Sequence, residues 1–286
     1  MKKALITGSS GFTGKVLRNR LAQKGYSTTG FDIVRGDGNQ DIRNKDAVDL
    51  AVKDHDVVFN LAGILGTHEL IEGNIREAVE INVLGTINVL EAARKYNVDV
   101  VEIGKPNLWL NTYSITKKAA EDFSLMYATE HGVKVWIVRW YNVFGPGQHY
   151  GSPQKLAPTS IVKALKGENI PVFGSGEQTA DHIYVDDAVD AAIAIYELND
   201  AMGFPVEVGH HHMTINKFVD TVLKITGSKS RIEHLPMRKG EAPMATVKAN
   251  TEFLNKIVGF NPKRDFESGI KDTVAYYKAM VNAGQI

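Results

Sequence analysis

Hydrophobic and polar positions follow two alternating rhythms through the first half of the chain. Short, almost wholly apolar runs at 4–6, 57–62, 98–103 and 133–140 read as buried strands, and 28–33 reads as another. Helical periodicity lies between them. Residues 15–24 place Leu17 and Leu21 on one face with Gly25 just beyond, 47–52 form a short helix, and 77–96 and 113–131 form long ones. A further strand is expected to end near Asp41. Strands separated by helices imply parallel βαβ units in a doubly wound α/β sheet. After residues 144–147 (Phe-Gly-Pro-Gly) the segments shorten and carry more Pro and Gly. Strands are expected at 171–173 and 180–185, and a helix at 186–198. An amphipathic helix is expected at 214–226, where Ile215, Phe218, Val219, Val222 and Leu223 keep the 3.6 period and Gly227 stops it. The division predicted is residues 1–146, with 172–209 returning to the same sheet, and a smaller C-terminal α/β region, 147–286.

Composition narrows the function classes. At roughly 150 residues per domain, 286 residues make two domains or one large α/β unit with an appendage. Apolar residues make up 43%, enough for a sizeable core. Lys and Arg number 33 and so do Asp and Glu, a balance that argues against a general nucleic-acid binder. No apolar stretch reaches the ~18 residues of a membrane span, and the opening apolar run is too short for a signal peptide. The absence of cysteine excludes disulfides, a thiol nucleophile and a thiolate metal site. A cytoplasmic protein is expected.

The first strand meets the first helix at residues 7–14, Thr-Gly-Ser-Ser-Gly-Phe-Thr-Gly. Glycines there let backbone approach a pyrophosphate, and the helix N-terminus offers free N–H groups to the anion. Gly8, Ser10, Gly11, Phe12, Thr13 and Gly14 are therefore candidate cofactor contacts, in a Rossmann-type region. Asp32 ends the next strand, 18 residues after Gly14. Its carboxylate suits ribose hydroxyls and repels a 2′-phosphate, favouring NAD over NADP, although nearby Arg35 could blunt the preference. Asp41 and Ile42 are candidate adenine contacts. Leu61, Ala62 and Gly63, after Asn60, are small or apolar residues at a strand's carboxyl end, where a cofactor crosses such a sheet.

Tyr113 and Lys117 are four apart at the start of a helix and so share a face. An ammonium, together with a positive nicotinamide ring, stabilises a phenolate and pulls its pKa down from ~10. Tyr113 would then take a hydroxyl proton as hydride leaves the same carbon.

These motifs resemble the extended short-chain dehydrogenases/reductases, in the NAD-dependent epimerase/dehydratase family acting on nucleotide sugars. The resemblance covers essentially the whole chain. It includes the 7–14 turn, Asp32, Asp41-Ile42, residues 60–63, Asn82–Thr86, Tyr113/Lys117, residues 139–147, Ile183–Asp187 and Arg238–Glu241. It implies that Tyr113 transfers the proton and Lys117 holds the nicotinamide ribose. It also implies that Asn142 and Arg238 contact the nucleotide sugar, Arg238 through the pyrophosphate. Thr67 is a further substrate candidate on an early loop.

The chain departs from the family in three places. The Ser or Thr usual at the end of the strand before Tyr113 is missing from Val101–Asn107, and Lys105, Asn107 and Thr112 are the candidates to supply that donor. The Asp-Glu pair of 4,6-dehydratases is absent, with Glu102 the only nearby carboxylate, facing inward or outward. Ala180 stands where an Arg is often found. His210, His211 and His212 have no ligand spacing for a metal, and none is expected. The 77–96 helix is apolar nearly all round and 113–131 carries Ile115, Phe123, Leu125 and Met126, which predicts a homodimer through a four-helix bundle. The expected activity is 4-epimerisation through a transient keto sugar. The rivals are a dehydratase, a net oxidoreductase and a catalytically idle binding protein.

Overall fold

The computed structural model describes residues 1–35, 40–66, 73–106, 109–199 and 203–286. In chain order its elements begin β1 (Lys3–Thr7), α1 (Phe12–Gln23), β2 (Ser27–Phe31), α2 (Lys45–Val52) and β3 (Val57–Asn60). Next come α3 (Ile75–Val79), a π-helical turn (Glu80–Leu84), α4 (Gly85–Tyr96), β4 (Asp99–Gly104), α5 (Thr112–His131), β5 (Val135–Trp140) and β6 (Val143–Phe144). The C-terminal half holds α6 (Leu156–Lys166), β7 (Ile170–Phe173), β8 (Thr179–Tyr184), α7 (Val185–Glu197), β9 (Pro205–Val208), β10 (His211–Thr214) and α8 (Ile215–Thr226). The chain closes with β11 (Ile232–Leu235), β12 (Thr246–Val247), α9 (Glu252–Lys256) and α10 (Phe266–Asn282).

A six-stranded sheet in the order β2-β1-β3-β4-β5-β9 organises the molecule, and every pairing in it is parallel. Alternate residues of its strands feed opposite cores. Ala4, Ile6, Val57, Phe59, Val101 and Val138 face one helix layer with Leu17 and Leu21 of α1 and the apolar face of α7. Leu5, Val58, Val100 and Ile137 face the other, with Val48 and Val52 of α2 and Val89 and Leu90 of α4. The central strands are thus buried on both faces, which is why they read as continuous apolar runs. The chain order reverses between β1 and β3, where such sheets open a crevice at their carboxyl ends. α7 packs on α1 and β9 extends the sheet edge, whereas β7 and β8 belong to two small sheets, β11-β7 and β10-β8-β12.

The strand expected to end at Asp41 does not form among the described residues. Asp41 sits in a turn: its carbonyl accepts from Asn44 N–H at 2.9 Å and its carboxylate from Arg43 N–H at 2.9 Å. Local side-chain hydrogen bonding of this kind competes with a strand ladder, and the sheet ends at β2. The 77–96 helix begins earlier, at Ile75, and contains the π-helical turn. There Asn82 turns its amide onto Ile64 N–H (2.9 Å) and Thr116 Oγ1 (3.0 Å), joining a cavity loop to α5.

Candidate active site

One cavity of about 870 Å³ runs from the first βα turn, past the carboxyl ends of β3 and β4, to the small C-terminal sheets. Its first part is shaped for backbone approach. Gly8 has φ +67°, and a Cβ there would lie 2.9 Å from Ala62 N; a Cβ on Gly14 would lie 2.2 Å from Gly8 O. Gly8, Ser10, Gly11, Phe12 and Thr13 line the cavity, whereas Gly14 is buried behind them and serves the turn's packing. No side chain caps the N-terminus of α1 and its first turn has no acidic residue, so its N–H groups face an anion unopposed. Asp32 is fixed by Ser10 N–H at 2.8 Å and Val34 N–H at 2.9 Å, each on a different oxygen, and each oxygen keeps a lone pair for a ribose hydroxyl. Ile42 lies buried under Gly85 and lines the cavity with Asp41, whose carboxyl is held below its ordinary range by the Arg43 guanidinium. Leu61, Ala62 and Gly63 follow, with Leu61 and Ala62 N–H both donating to Thr7 Oγ1 at 3.0 Å. This cradle fits NAD: Gly8 and Gly14 leave no room for a Cβ, so the turn closes tightly enough to bring the uncapped α1 N-terminus to the cavity.

Tyr113 and Lys117 line the middle of the cavity on α5, whose start is capped by Asn111 accepting from Ser114 N–H at 2.9 Å. Against the lowering expected from Lys117, burial pushes the Tyr113 phenol above its ordinary value, because Lys117 is turned to a carboxylate. Lys117 Nζ donates to Glu102 Oε1 at 2.8 Å, with both side chains buried. Glu102 Oε2 accepts from Asn60 Nδ2 at 2.6 Å, and Asn60 Oδ1 accepts from Thr7 Oγ1 at 2.7 Å. Glu102 therefore turns inward, off the cavity wall, and anchors the lysine through a chain that reaches β1. The ammonium lying against the phenol ring is that of Lys105, 5.3 Å from its centre. Lys105 Nζ donates to Ser114 Oγ and to the Pro106 carbonyl, both at 2.7 Å. Of the three expected replacements for the family hydroxyl, Lys105 lines the cavity, Thr112 does not, and Asn107 lies outside the described residues.

The far wall brings in Asn142 and Arg238. Asn142, at φ +31°, donates to the Asp181 carbonyl at 2.8 Å. Arg238 stacks on Phe173, 4.7 Å from the ring centre, and pairs with Glu241 at 2.6 Å, leaving its buried Nε without a partner. Gln148 Oε1, Ser160 Oγ, Gln178 Oε1, Thr179 Oγ1 and His182 Nε2 are likewise buried and unpartnered among the described residues, and all five residues line the cavity. Buried polar atoms are normally paired, so this wall is built for a polar ligand. Sequence reasoning missed these residues and Lys105's neighbour Ser114. The Gly-Ser-Gly-Glu-Gln-Thr stretch at 174–179 was the available signal for part of them. Thr67 lies outside the described residues. His211 and His212 are engaged structurally, His211 Nε2 with the Arg264 carbonyl at 2.9 Å and His212 Nδ1 with Asp181 at 2.6 Å.

The enzyme class that this arrangement defines is the extended short-chain dehydrogenase/reductase. The family can be stated more narrowly: the profile of the NAD-dependent epimerase/dehydratase family matches residues 4–104 and 106–209, and the chain belongs to it, with NAD as its cofactor. It is 29% identical to a UDP-N-acetyl-alpha-D-glucosaminuronate decarboxylase of Bacillus cytotoxicus, over 98% of this chain and 99% of the relative. It is 27% identical to a putative UDP-glucose 4-epimerase of Methanocaldococcus jannaschii, over 96% and 98%. In fold it matches the UDP-glucuronic acid 4-epimerase of Bacillus cereus, solved with UDP-glucuronic acid and NAD, with a TM-score of 0.89 at 24% identity over 97% and 99% of the chains.

Proposed function

We propose that the protein is a nucleotide-sugar 4-epimerase working through a transient keto sugar. The observation that carries this reading is one cavity that holds the glycine cradle, Tyr113 with Lys117, and a wall of unpartnered buried polar atoms. Asp32 holds the adenosine ribose, and Gly8 with residues 10–13 and the α1 N-terminus hold the pyrophosphate. Asp41 and Ile42 border the adenine. Bound NAD supplies a hydride acceptor that returns the hydride, so oxidation and reduction balance over a cycle. Lys117, fixed by Glu102, keeps two N–H donors for the nicotinamide ribose. Tyr113 takes and returns the proton of the sugar hydroxyl. Asn142, Arg238 and Thr67 hold the nucleotide sugar. The names of the relatives, UDP-sugar decarboxylases and 4-epimerases, support that substrate class.

Elimination of water needs a carboxylate acid and base at the sugar. Glu102 does not line the cavity and both its oxygens are committed, which favours epimerisation over dehydration. The test is incubation of the holoenzyme with a panel of UDP-sugars and stereochemical and mass analysis of the products. A product of unchanged mass, inverted at C4 and lost in Tyr113→Phe, is expected. Loss of one water, or NADH accumulating with substrate, replaces this reading with a dehydratase or an oxidoreductase; no turnover with NAD retained replaces it with a binding protein.

We further infer a homodimer through helices 77–96 and 113–131, at work in the cytoplasm. The support is that α3, α4 and α5 pack as neighbours and leave Ile75, Val79, Leu84, Ile115 and Phe123 exposed. No helix among the described residues is long and apolar enough to cross a membrane.

A further inference from the structure

Two lysines neighbour Tyr113, Lys105 over its ring and Lys117 one turn along α5, and they differ in what balances them. Lys117 meets the buried carboxylate of Glu102 at 2.8 Å. Among the described residues, the hydrogen bonds of Lys105 go to neutral acceptors, the Ser114 hydroxyl and the Pro106 carbonyl. An ammonium taken out of water without a counter-ion is costly. Burial, reinforced by the charge of Lys117, lowers its pKa to about 8. Two of its three N–H donors are used among the described residues, and the third can reach the cavity that Lys105 and Tyr113 both line. Ser114 is itself buried and held by Asn111, so the ammonium is aimed rather than floppy. A cation kept in that state beside the phenol is completed by an oxygen of a ligand.

We propose that Lys105 is a catalytic residue that donates a hydrogen bond to the sugar oxygen whose proton Tyr113 removes. This rests on the epimerase reading above. In the oxidising half-cycle the O–H bond would break and its proton would go to Tyr113 in its phenolate form, which the Lys105 ammonium and a bound nicotinamide's positive charge would favour against the upward push of burial. NAD held by the glycine turn and Asp32 would supply the acceptor for the hydride of the same carbon, whose C–O bond would become C=O. Lys105 neither gains nor loses a proton; it stabilises the negative charge that grows on the oxygen between the two events. The return half-cycle reverses each bond change on the opposite face of the sugar. A donor placed where charge develops contributes about 10²–10³-fold to turnover.

The test combines kinetics with a signal that needs no turnover. Lys105→Met and Lys105→Gln holoenzymes are assayed with UDP-glucose and UDP-glucuronate. Separately, ζ-¹⁵N-lysine spectra of the NAD-loaded Tyr113→Phe variant, with Lys105 intact and assigned by its loss in Lys105→Met, are recorded as UDP-glucose is added. The expected result is a kcat lower by about 10²–10³-fold on every sugar the wild type accepts, KM within a few-fold, and a Lys105 resonance that moves on titration. A kcat within about threefold of wild type overturns the proposal. So does a KM increase confined to UDP-glucuronate, which would make Lys105 a carboxylate anchor, and so does an unmoved resonance. If the wild type turns over no nucleotide sugar, the epimerase reading falls, and the resonance alone decides whether Lys105 meets a sugar oxygen. If the Lys105 variants do not fold, the spectra of the intact lysine decide in the same way.

Discussion

Glu102 carries a charge that has no access to water, held between Lys117 and Asn60. Removing one member of such a pair strands the other. Glu102→Ala is expected to cost about 3–5 kcal/mol of unfolding free energy near neutral pH, measured by urea denaturation. The double variant Glu102→Met/Lys117→Met should recover most of that while remaining inactive; a single variant within about 1 kcal/mol of wild type would mean that the pair does not hold the site together. His182 gives a second handle. Burial, with His211 and His212 nearby, pushes its pKa down to about 3 from 6.5. The unfolded chain therefore binds a proton that the folded chain refuses, and stability is full above about 6.5 and lost progressively as the pH falls toward about 3. His182→Phe, whose ring would stay against Phe218, should lose less stability than wild type between about pH 7 and pH 4.5 in parallel urea titrations; equal losses would refute the linkage. That Gly8, Asp32, Tyr113 and Lys117 would line one cavity was legible because their placement follows from spacing within one turn or one helix face. The Glu102–Lys117 bond and the stacking of Lys105 on Tyr113 were not, since each joins two elements whose approach only the packed sheet decides.

At the scale of elements, the glycine turn shows how close packing and ligand approach are one constraint. Gly14→Ala drives a methyl to within 2.2 Å of Gly8 O, so α1 must withdraw from the turn. The expected result is a loss of about 1–3 kcal/mol in stability and at least about tenfold in NAD affinity, read by denaturation and calorimetric titration. Gly25→Ala is the control: φ of +85° makes it strained but nothing lies within 4 Å, so stability falls by about 1 kcal/mol and NAD affinity stays. An equal loss of affinity in both variants would show that the cradle has no special role. The apolar runs predicted β1, β3, β4 and β5 to within a few residues because strands buried on both faces leave that signature. The strand expected near Asp41 failed for a local reason, the capture of Asp41 by Arg43. The π-helical turn at Glu80–Leu84 was invisible because it follows from where Asn82 finds its partners, Ile64 and Thr116.

At the scale of the whole molecule, the helices packed on one face of the sheet keep large apolar side chains in solvent. Ala78, Val83, Val89, Leu90, Ala92 and Ala93 are buried against this chain's own sheet and neighbours, so the apolar character of the 77–96 helix is only partly spent inside. Leu84 and Ile115 remain half exposed, at 50% and 53%, and Val79 and Phe123 are exposed on helices packed against the same neighbours. Exposed large apolar side chains on packed helices are the ground for the proposed dimer. In the proposed dimer α4 and α5 of one chain would face the same pair of a second copy, covering both helices at once. The double variant Leu84→Glu/Phe123→Glu places charges on the stripe without touching the cavity, which neither residue lines. Sedimentation equilibrium at micromolar concentration should give a dimer for the wild type and a monomer for the variant, with NAD binding by the variant reduced no more than a few-fold. A wild type that sediments as a monomer would remove the four-helix interface. A variant that still dimerises would move that interface to another face of the molecule.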